Sequence, residues 1–161
     1  CRFMIFKNLS PSAKVWCYIS NLSLREINHE IFKNKFDEFF ATWKSHGEKI
    51  KGSFKIVNNH ILLIAADVNG NLLCGRAVDS QLRFVKEIEF FFNLSLLDRN
   101  NMAFVEEGVI KCFKFKDLKS LYLNKIICDK TLLCNTFITV NEDEIYLPFC
   151  KSPFASLYLS S

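Results

Sequence analysis

The chain has 161 residues, of which 50% are hydrophobic and 24% are charged. This length suits one domain, and this balance excludes an intrinsically disordered chain because enough apolar surface is available to form a core. The net charge is +4, with acidic and basic residues interspersed along the chain. Dedicated nucleic-acid binders cluster their basic residues, so nucleic-acid binding is only weakly indicated.

No apolar run approaches the roughly 18 residues that a membrane-spanning helix needs, and no signal peptide is visible. We therefore expect a cytoplasmic protein without membrane association, folded as a single globular domain over residues 1–161. Residues 1–10 are expected to form a loosely ordered leader. A processed lipoprotein also begins with Cys, but such proteins continue with a polar tether, whereas residues 2–6 are mostly apolar.

Seven cysteines are spread over the chain, and no two of them form a CxxC pair. A zinc site needs ligands that are close enough to close a small tetrahedral cage, so the spacing predicts no metal site. Cys17 lies in an apolar run and is expected to be a small buried hydrophobic residue. Free thiols in this number fit a reducing compartment.

The first part of the chain contains a strand and a long amphipathic segment. Residues 13–19 are rich in β-forming side chains and predict a strand. Residues 23–26 match a capping box, in which a Ser hydroxyl and a Glu carboxylate satisfy free backbone donors at a helix start. Apolar residues then recur at three- and four-residue steps, which predicts a helix over about 22–45 that ends at Gly47.

The next part alternates β-forming runs with turn residues. Residues 53–57 predict a strand and residues 58–59 a turn. The continuous apolar run 61–66 predicts a strand that is central in its sheet, because both of its faces must be covered. Residues 69–70 predict a tight hairpin turn, after which residues 72–77 return as a strand or an ordered loop.

A second helix is predicted over about 79–93, with Asp79 or Ser80 as its cap and an apolar stripe along one side. Residues 102–105 and 109–115 flank a Glu-Glu-Gly turn and predict a hairpin.

The remaining residues predict a short helix over 117–123, a β-rich run over 131–140 and an irregular tail. The order of elements predicts an α+β fold with a mostly antiparallel sheet and two principal helices, about 22–45 and 79–93.

Residues 47–53 have the glycine spacing of a phosphate-binding loop but lack the Lys that must stand between Gly52 and Ser53. Such a loop should also follow a strand and open a helix, whereas this segment follows a helix. We interpret it as a connection between a helix and a strand, and we predict no cofactor.

The candidate ligand site consists of polar residues at the ends of predicted elements. They are His46, Asp79, Ser80, Asp98, Arg99 and Asn135. Asp98 and Arg99 are expected to form a local turn with an ion pair. A cysteine nucleophile with a distant histidine stays open, and Cys74 is the best-placed candidate because it is expected at the end of a hairpin.

Three consecutive aromatic residues, Phe90, Phe91 and Phe92, follow the stripe of the second helix. They cannot all face one core, so Phe90 or Phe91 is expected on an exposed apolar patch that marks an interface. The leading hypothesis is therefore a non-catalytic module that binds a protein partner or associates with itself. The alternative is a small-ligand-binding protein or an enzyme, and nucleic-acid binding is a third hypothesis.

Several short segments in chain order resemble a small family of bacterial proteins found mainly in the Bacteroidota. They are Val15-Trp16 with Tyr18, Trp43 with His46-Gly47, Gly75 with Val78-Asp79-Ser80, Leu97-Asp98-Arg99, Thr131-Leu132 with Asn135, and Pro148 with Ser152. The resemblance spans roughly residues 13–158 and implies a single-domain cytoplasmic protein.

Members of that family often carry the label ABC transporter ATPase, which would imply ATP hydrolysis. This chain has no intact Walker A loop and no ABC signature sequence. It also departs from the family at Arg76, where members often have Cys, and at Thr136, where members often have a second Asn. The Arg76 difference argues against a thiol site that is common to the family.

Overall fold

The computed structural model describes residues 3–68 and 73–159. Within them the strands are β1 (Lys14–Ile19), β2 (Lys44–Ser45), β3 (Glu48–Lys49), β4 (Lys51–Val57), β5 (Ile61–Asp67), β6 (Asn101–Glu106), β7 (Val109–Lys114), β8 (Leu132–Cys134) and β9 (Tyr146–Pro148). The helices are α1 (His29–Thr42), α2 (Gly75–Phe92), α3 (Leu118–Leu123) and α4 (Ser156–Leu159). None of the described helices has the length and apolar character needed to cross a bilayer.

The first sheet is antiparallel and has the strand order β1-β5-β4. Residues 61–66 of β5 are fully buried, which confirms the prediction of a central strand with both faces covered. The turn predicted at residues 58–59 is also confirmed. Asn58 and Asn59 both adopt positive φ, at 51° and 62°, within the three-residue connection between the paired residues Val57 and Ile61.

The second sheet is antiparallel and has the order β7-β6-β8-β9. The predicted hairpin is present as β6 and β7, and the predicted short helix is present as α3. The β-rich run 131–140 forms a strand only at β8. It stops there because the Asn135 side chain accepts a hydrogen bond from Phe137 N at 3.1 Å, which turns the chain out of the ladder.

Three buried clusters show how the two sheets and the helices are layered. Leu62 of β5 packs among residues of α1 and α2. The neighbouring Leu63 points to the other face and packs in one cluster with Ala103 of β6. Phe104 of β6 points away from that cluster and packs with Leu118 of α3. The layers are therefore helices, sheet, sheet and helix, which is the predicted α+β class.

The first helix begins later than its capping box predicts. α1 starts at His29, and Asn28 caps it by accepting a hydrogen bond from Ile31 N at 3.1 Å. Leu24 is fully buried, and its N–H donates to Asn59 O at 2.6 Å, so the segment before Asn28 follows the first sheet instead of a helix. The predicted helix start at residue 22 is therefore wrong.

The same helix also ends earlier than predicted. α1 ends at Thr42, and Trp43 is extended because its buried indole donates from Nε1 to Ala77 O at 2.9 Å. Gly47 does not end the helix. It has φ 79°, and His46 before it has φ 52°, so the two residues form the turn of the β2–β3 hairpin.

The second helix begins earlier than predicted. α2 starts at Gly75, so residues 75–77 are helical and not part of a strand. Asp79 does not cap the helix but lies inside it, with an ion pair to Arg83 at 3.4 Å. Ser80 donates its hydroxyl proton to Arg76 O at 2.8 Å. The turn predicted at residues 69–70 lies outside the described residues.

The N-terminal segment, residues 5–9, belongs to the core and is not a loose leader. Ile5, Phe6 and Leu9 are buried in the cluster between the two sheets. The fully buried Asn141 holds the segment, because its Oδ1 accepts from Phe6 N at 2.7 Å and its amide donates to Phe6 O at 2.8 Å. The expectation for residues 1–10 therefore fails over this part.

Candidate functional site

The six polar residues of the predicted ligand site lie on separate elements. His46 is at the tip of the β2–β3 hairpin, and Asp79 and Ser80 are in α2. Asp98 and Arg99 lie between α2 and β6, and Asn135 follows β8. Within residues 3–68 and 73–159, no hydrogen bond or ion pair joins any two of these six side chains.

Asp98 has a structural environment of its own. Its Oδ1 accepts from Asn100 N at 2.9 Å, and its Oδ2 is 3.1 Å from Lys114 Nζ. The pKa of Asp98 is lowered, first by the hydrogen bond from the Asn100 backbone and then by Lys114. The predicted turn is present, but the ion pair is made with Lys114 and not with Arg99.

Asn135 braces the loop that follows β8. Its Nδ2 donates to Glu144 O at 3.0 Å, and its Oδ1 accepts from Phe137 N. Both contacts are local, so they explain the residue as part of a turn. The alternative of one polar site near His46, Asp79 and Asp98 receives no support from these contacts.

Residues 47–53 also have the wrong structure for a phosphate-binding loop. Gly47 is in a hairpin turn, and Gly52 is inside strand β4. A Cβ atom added at Gly52 would lie 2.4 Å from Cδ1 of Phe40, so glycine is needed there for close packing against α1. These glycines serve strand and turn geometry.

Cys74 stands directly before α2, in the N-cap position. Its backbone N–H donates to the hydroxyl of the buried Ser45 at 3.0 Å. The pKa of the Cys74 thiol is lowered to about 7, chiefly by hydrogen bonding to Ser45 and next by the backbone of His46 and Ala77. A helix start favours a thiolate for the same electrostatic reason. Across the described residues, no hydrogen bond joins a cysteine thiol to a histidine ring.

Two further thiols lie close together between the sheets. Cys17 Sγ and Cys134 Sγ are 3.7 Å apart, and both residues are buried. The prediction that Cys17 is a buried hydrophobic residue is confirmed. The pKa of Cys134 is raised well above its usual range, first by its contact with Cys17 and then by burial, so this thiol stays protonated. No group of three or more potential metal ligands occurs in the described part of the chain.

The end of α2 carries the three consecutive aromatic residues that the sequence analysis noted, and two of them are exposed. Phe90 is 91% exposed and Phe91 is 54% exposed, whereas Phe92 packs against Phe32 of α1 with 5.4 Å between ring centroids. The expectation that these three residues cannot share one core is met. The buried stripe of α2, which includes Phe84, Val85 and Ile88, fixes the rotation of the helix, and this rotation turns Phe90 and Phe91 outward.

Residues of α1 extend this exposed region. The ammonium of Lys35 lies 3.9 Å from the centroid of the Phe91 ring, which is a cation–π contact. Ile31, one turn earlier on the same side of α1, is 40% exposed. We call Ile31, Lys35, Phe90 and Phe91 the aromatic surface.

The comparisons with known proteins add no relative to this description. No protein-family model, no curated protein and no solved structure matches the chain.

Proposed function

We propose that the protein is a binding module that docks a protein partner through the aromatic surface. The observation that supports this most is the exposure of Phe90, because a Phe side chain that is 91% exposed gains nothing from the fold of its own chain. Burying such a side chain contributes about 1.5–3 kcal/mol. Aromatic residues are enriched at the centres of protein interfaces for this reason.

The shape of the aromatic surface fits a protein partner better than a small ligand. Phe90 and Phe91 stand side by side on the outside of a helix, so they present a convex surface and not a cavity. Small ligands bind in concave sites that bury most of their surface. Lys35 over the Phe91 ring holds that side chain in place, which lowers the entropy that binding would cost.

Site-specific photocrosslinking tests the proposal. A benzophenone amino acid replaces Phe90 in the protein as it is made in its own cells, and replaces Phe137, which is 56% exposed, in a control variant. We expect one discrete protein adduct from position 90 and none of the same mass from position 137. An adduct with a second copy of the chain would identify self-association.

A double variant, Phe90→Ser with Phe91→Ser, completes the test. In this variant the benzophenone amino acid replaces Lys35, and we expect it to form no adduct with the partner, whereas it should form one in the otherwise unchanged protein. The melting temperature should stay within about 2 °C, because exposed side chains contribute little to stability. If the double variant keeps the adduct, or if position 90 yields no adduct, the proposal is wrong.

The second candidate function is thiol chemistry at Cys74, as an enzyme or a ligand-binding protein would use it. The specific observation in its favour is the lowered pKa of about 7, which produces a large thiolate fraction at neutral pH. Cys74 is half-buried beside the hairpin that carries His46, so part of its side chain is open to a small electrophile. Its test is the alkylation profile described in the Discussion.

A further inference from the structure

A cavity of about 460 Å³ lies between strand β4 and the N-terminal segment. β4 is the outer strand of the first sheet, and no described residue pairs with its other edge as a strand. The cavity is lined by residues 5–9 and 51–55. We call it the lysine groove, because the side chains of Lys7, Lys51 and Lys55 enclose it.

The lysine groove has a strong excess of positive charge. Three of its ten lining residues are lysines and none is acidic. Lys51 Nζ donates to Asn8 O at 3.2 Å, and Lys55 Nζ donates to Ile5 O at 3.1 Å. Each ammonium group has three donors, so two remain on each of these lysines for a ligand.

The carboxylate of Asp67 offsets only part of this charge, because the groove has three lysines and no acidic residue in its lining. Asp67 stands opposite Lys51 in the ladder between β5 and β4. Its carboxylate instead accepts hydrogen bonds from Ser10, at 2.9 Å from the backbone nitrogen and 3.2 Å from the hydroxyl. No ion pair joins Lys51 to Asp67 among the described residues.

The spacing of the lysines follows the geometry of an extended chain. Lys51 and Lys55 are four residues apart on one strand, so both side chains point to the same face and their Cα atoms are about 13 Å apart. A peptide that adds to the edge of β4 has the same rise per residue. Acidic side chains four residues apart in such a peptide therefore match both lysines at once.

Lysines on an edge strand ordinarily prevent wrong pairing between sheets, because they repel basic strands and would lose hydration against apolar ones. The same charges favour an acidic strand, since an acidic partner satisfies the ammonium groups while its backbone pairs with the free edge. The edge of β4 offers unpaired N–H and C=O groups at the side of the lysine groove. Main-chain pairing and charge therefore select the same kind of ligand.

We propose that the lysine groove binds an extended acidic peptide, which pairs with the edge of β4 as a further strand. Main-chain hydrogen bonds provide the common part of the affinity, and Lys51, Lys55 and Lys7 select for acidic side chains. The lysine groove and the aromatic surface are on opposite faces of the first sheet, because Phe54 between the lysines packs against Phe36 of α1. The two proposals therefore fail or succeed independently.

Fluorescence anisotropy with the full chain tests this proposal. The probe is a labelled peptide of about eight residues with Glu at alternate positions and Thr between them. One control peptide has Gln in place of every Glu, and another has N-methyl groups on alternate backbone nitrogens, which removes strand pairing. A single-stranded oligonucleotide of similar length is titrated in parallel.

The protein variants separate charge from folding. Lys7→Gln removes one charge from a side chain with no hydrogen bond in the described structure, so it leaves the N-terminal segment anchored. Lys51→Gln with Lys55→Gln removes two charges, and Lys116→Gln with Lys119→Gln is the matched control outside the groove. Melting temperatures are measured for all of them.

We expect the acidic peptide to bind, and both control peptides to bind at least tenfold more weakly. The Lys51 and Lys55 double variant should lose about tenfold in affinity and Lys7→Gln about threefold, with the Lys116 and Lys119 variant unchanged. The proposal is overturned by equal binding of the N-methylated peptide, by tighter binding of the oligonucleotide, or by no binding at millimolar peptide. It is also overturned if Lys7→Gln and the double variant both bind normally.

Discussion

Asn141 offers the sharpest test of how the chain holds its N-terminal segment. The residue is fully buried, its Oδ1 accepts a hydrogen bond from Phe6 N, and the two N–H donors of its amide are shared among the carbonyl oxygens of Phe6, Leu9 and Ser10. A buried hydrogen bond contributes about 1 kcal/mol, and leaving its partner unpaired costs at least as much. Asn141→Ala should therefore lower the free energy of unfolding by about 3–4 kcal/mol.

This loss corresponds to a fall in melting temperature of roughly 10 °C for a chain of this length. Thermal unfolding followed by circular dichroism measures it, and urea unfolding gives the free energy directly. Asn135→Ala is the control, because the Asn135 side chain makes two hydrogen bonds to the described residues, both at an exposed turn, and its loss should cost less than about 1 kcal/mol. Hydrogen exchange at the Phe6 amide should become faster in the Asn141 variant alone.

The reasoning is refuted if Asn141→Ala unfolds at the same temperature as Asn135→Ala. It is also refuted if the variant is destabilised while exchange at Phe6 stays protected. In that case the loss would come from the loop around Asn141 and not from the N-terminal segment.

Two further predictions concern local chemistry and packing. The rate of Cys74 alkylation by iodoacetamide, followed by peptide mass spectrometry, should rise with pH around a midpoint of about 7, because the thiolate forms as pH increases. Ser45→Ala should move that midpoint upward. An unchanged midpoint would show that Ser45 does not lower the pKa of the Cys74 thiol. Gly52→Ala should destabilise the protein by about 1–3 kcal/mol in urea unfolding, since the new Cβ would overlap Phe40. A Cβ added at Gly75 meets open space, so Gly75→Ala should be neutral or slightly stabilising. Equal effects of the two substitutions would contradict the proposed close packing at Gly52.

Local chemistry allowed parts of the fold to be predicted from the sequence. The turn at Asn58 and Asn59 was predictable, because few residues other than Asn and Gly accept two consecutive positive φ angles. The central position of β5 was predictable because a strand with both faces buried has no polar alternation. The exposure of Phe90 followed from the geometry of a single helix, on which three consecutive side chains point in different directions.

The predicted boundaries of α1 were wrong because contacts between residues distant in the chain determined where the helix begins and ends. The capping box at residues 23–26 does not start a helix, because Leu24 N pairs with Asn59 O across the first sheet. Gly47 does not end α1, because the burial of Trp43 against α2 ends it earlier. Local propensity is a weak prior in both cases, and a buried tertiary contact is worth more.

The lysine groove, likewise, depends on contacts between distant residues that the local sequence does not show. The predicted strand began at residue 53, so only the pairing of β4 with β5 shows that Lys51 and Lys55 share a face. The N-terminal segment opposite them is held there by Asn141, a residue 135 positions away from Phe6. No pattern within a sequence window could have joined these two segments.

The lysine groove and the core are therefore linked through the N-terminal segment. Asn141 anchors residues 6, 9 and 10, and the segment that it anchors forms one wall of the groove and accepts hydrogen bonds from Lys51 and Lys55. If these bonds were lost, both lysines would be free to extend into solvent, and the edge of β4 would lose the wall that aligns them. The positive charge would remain, but it would no longer be held at the spacing of an extended strand. Selectivity for an acidic strand thus depends on the fixed position of the N-terminal segment as well as on charge.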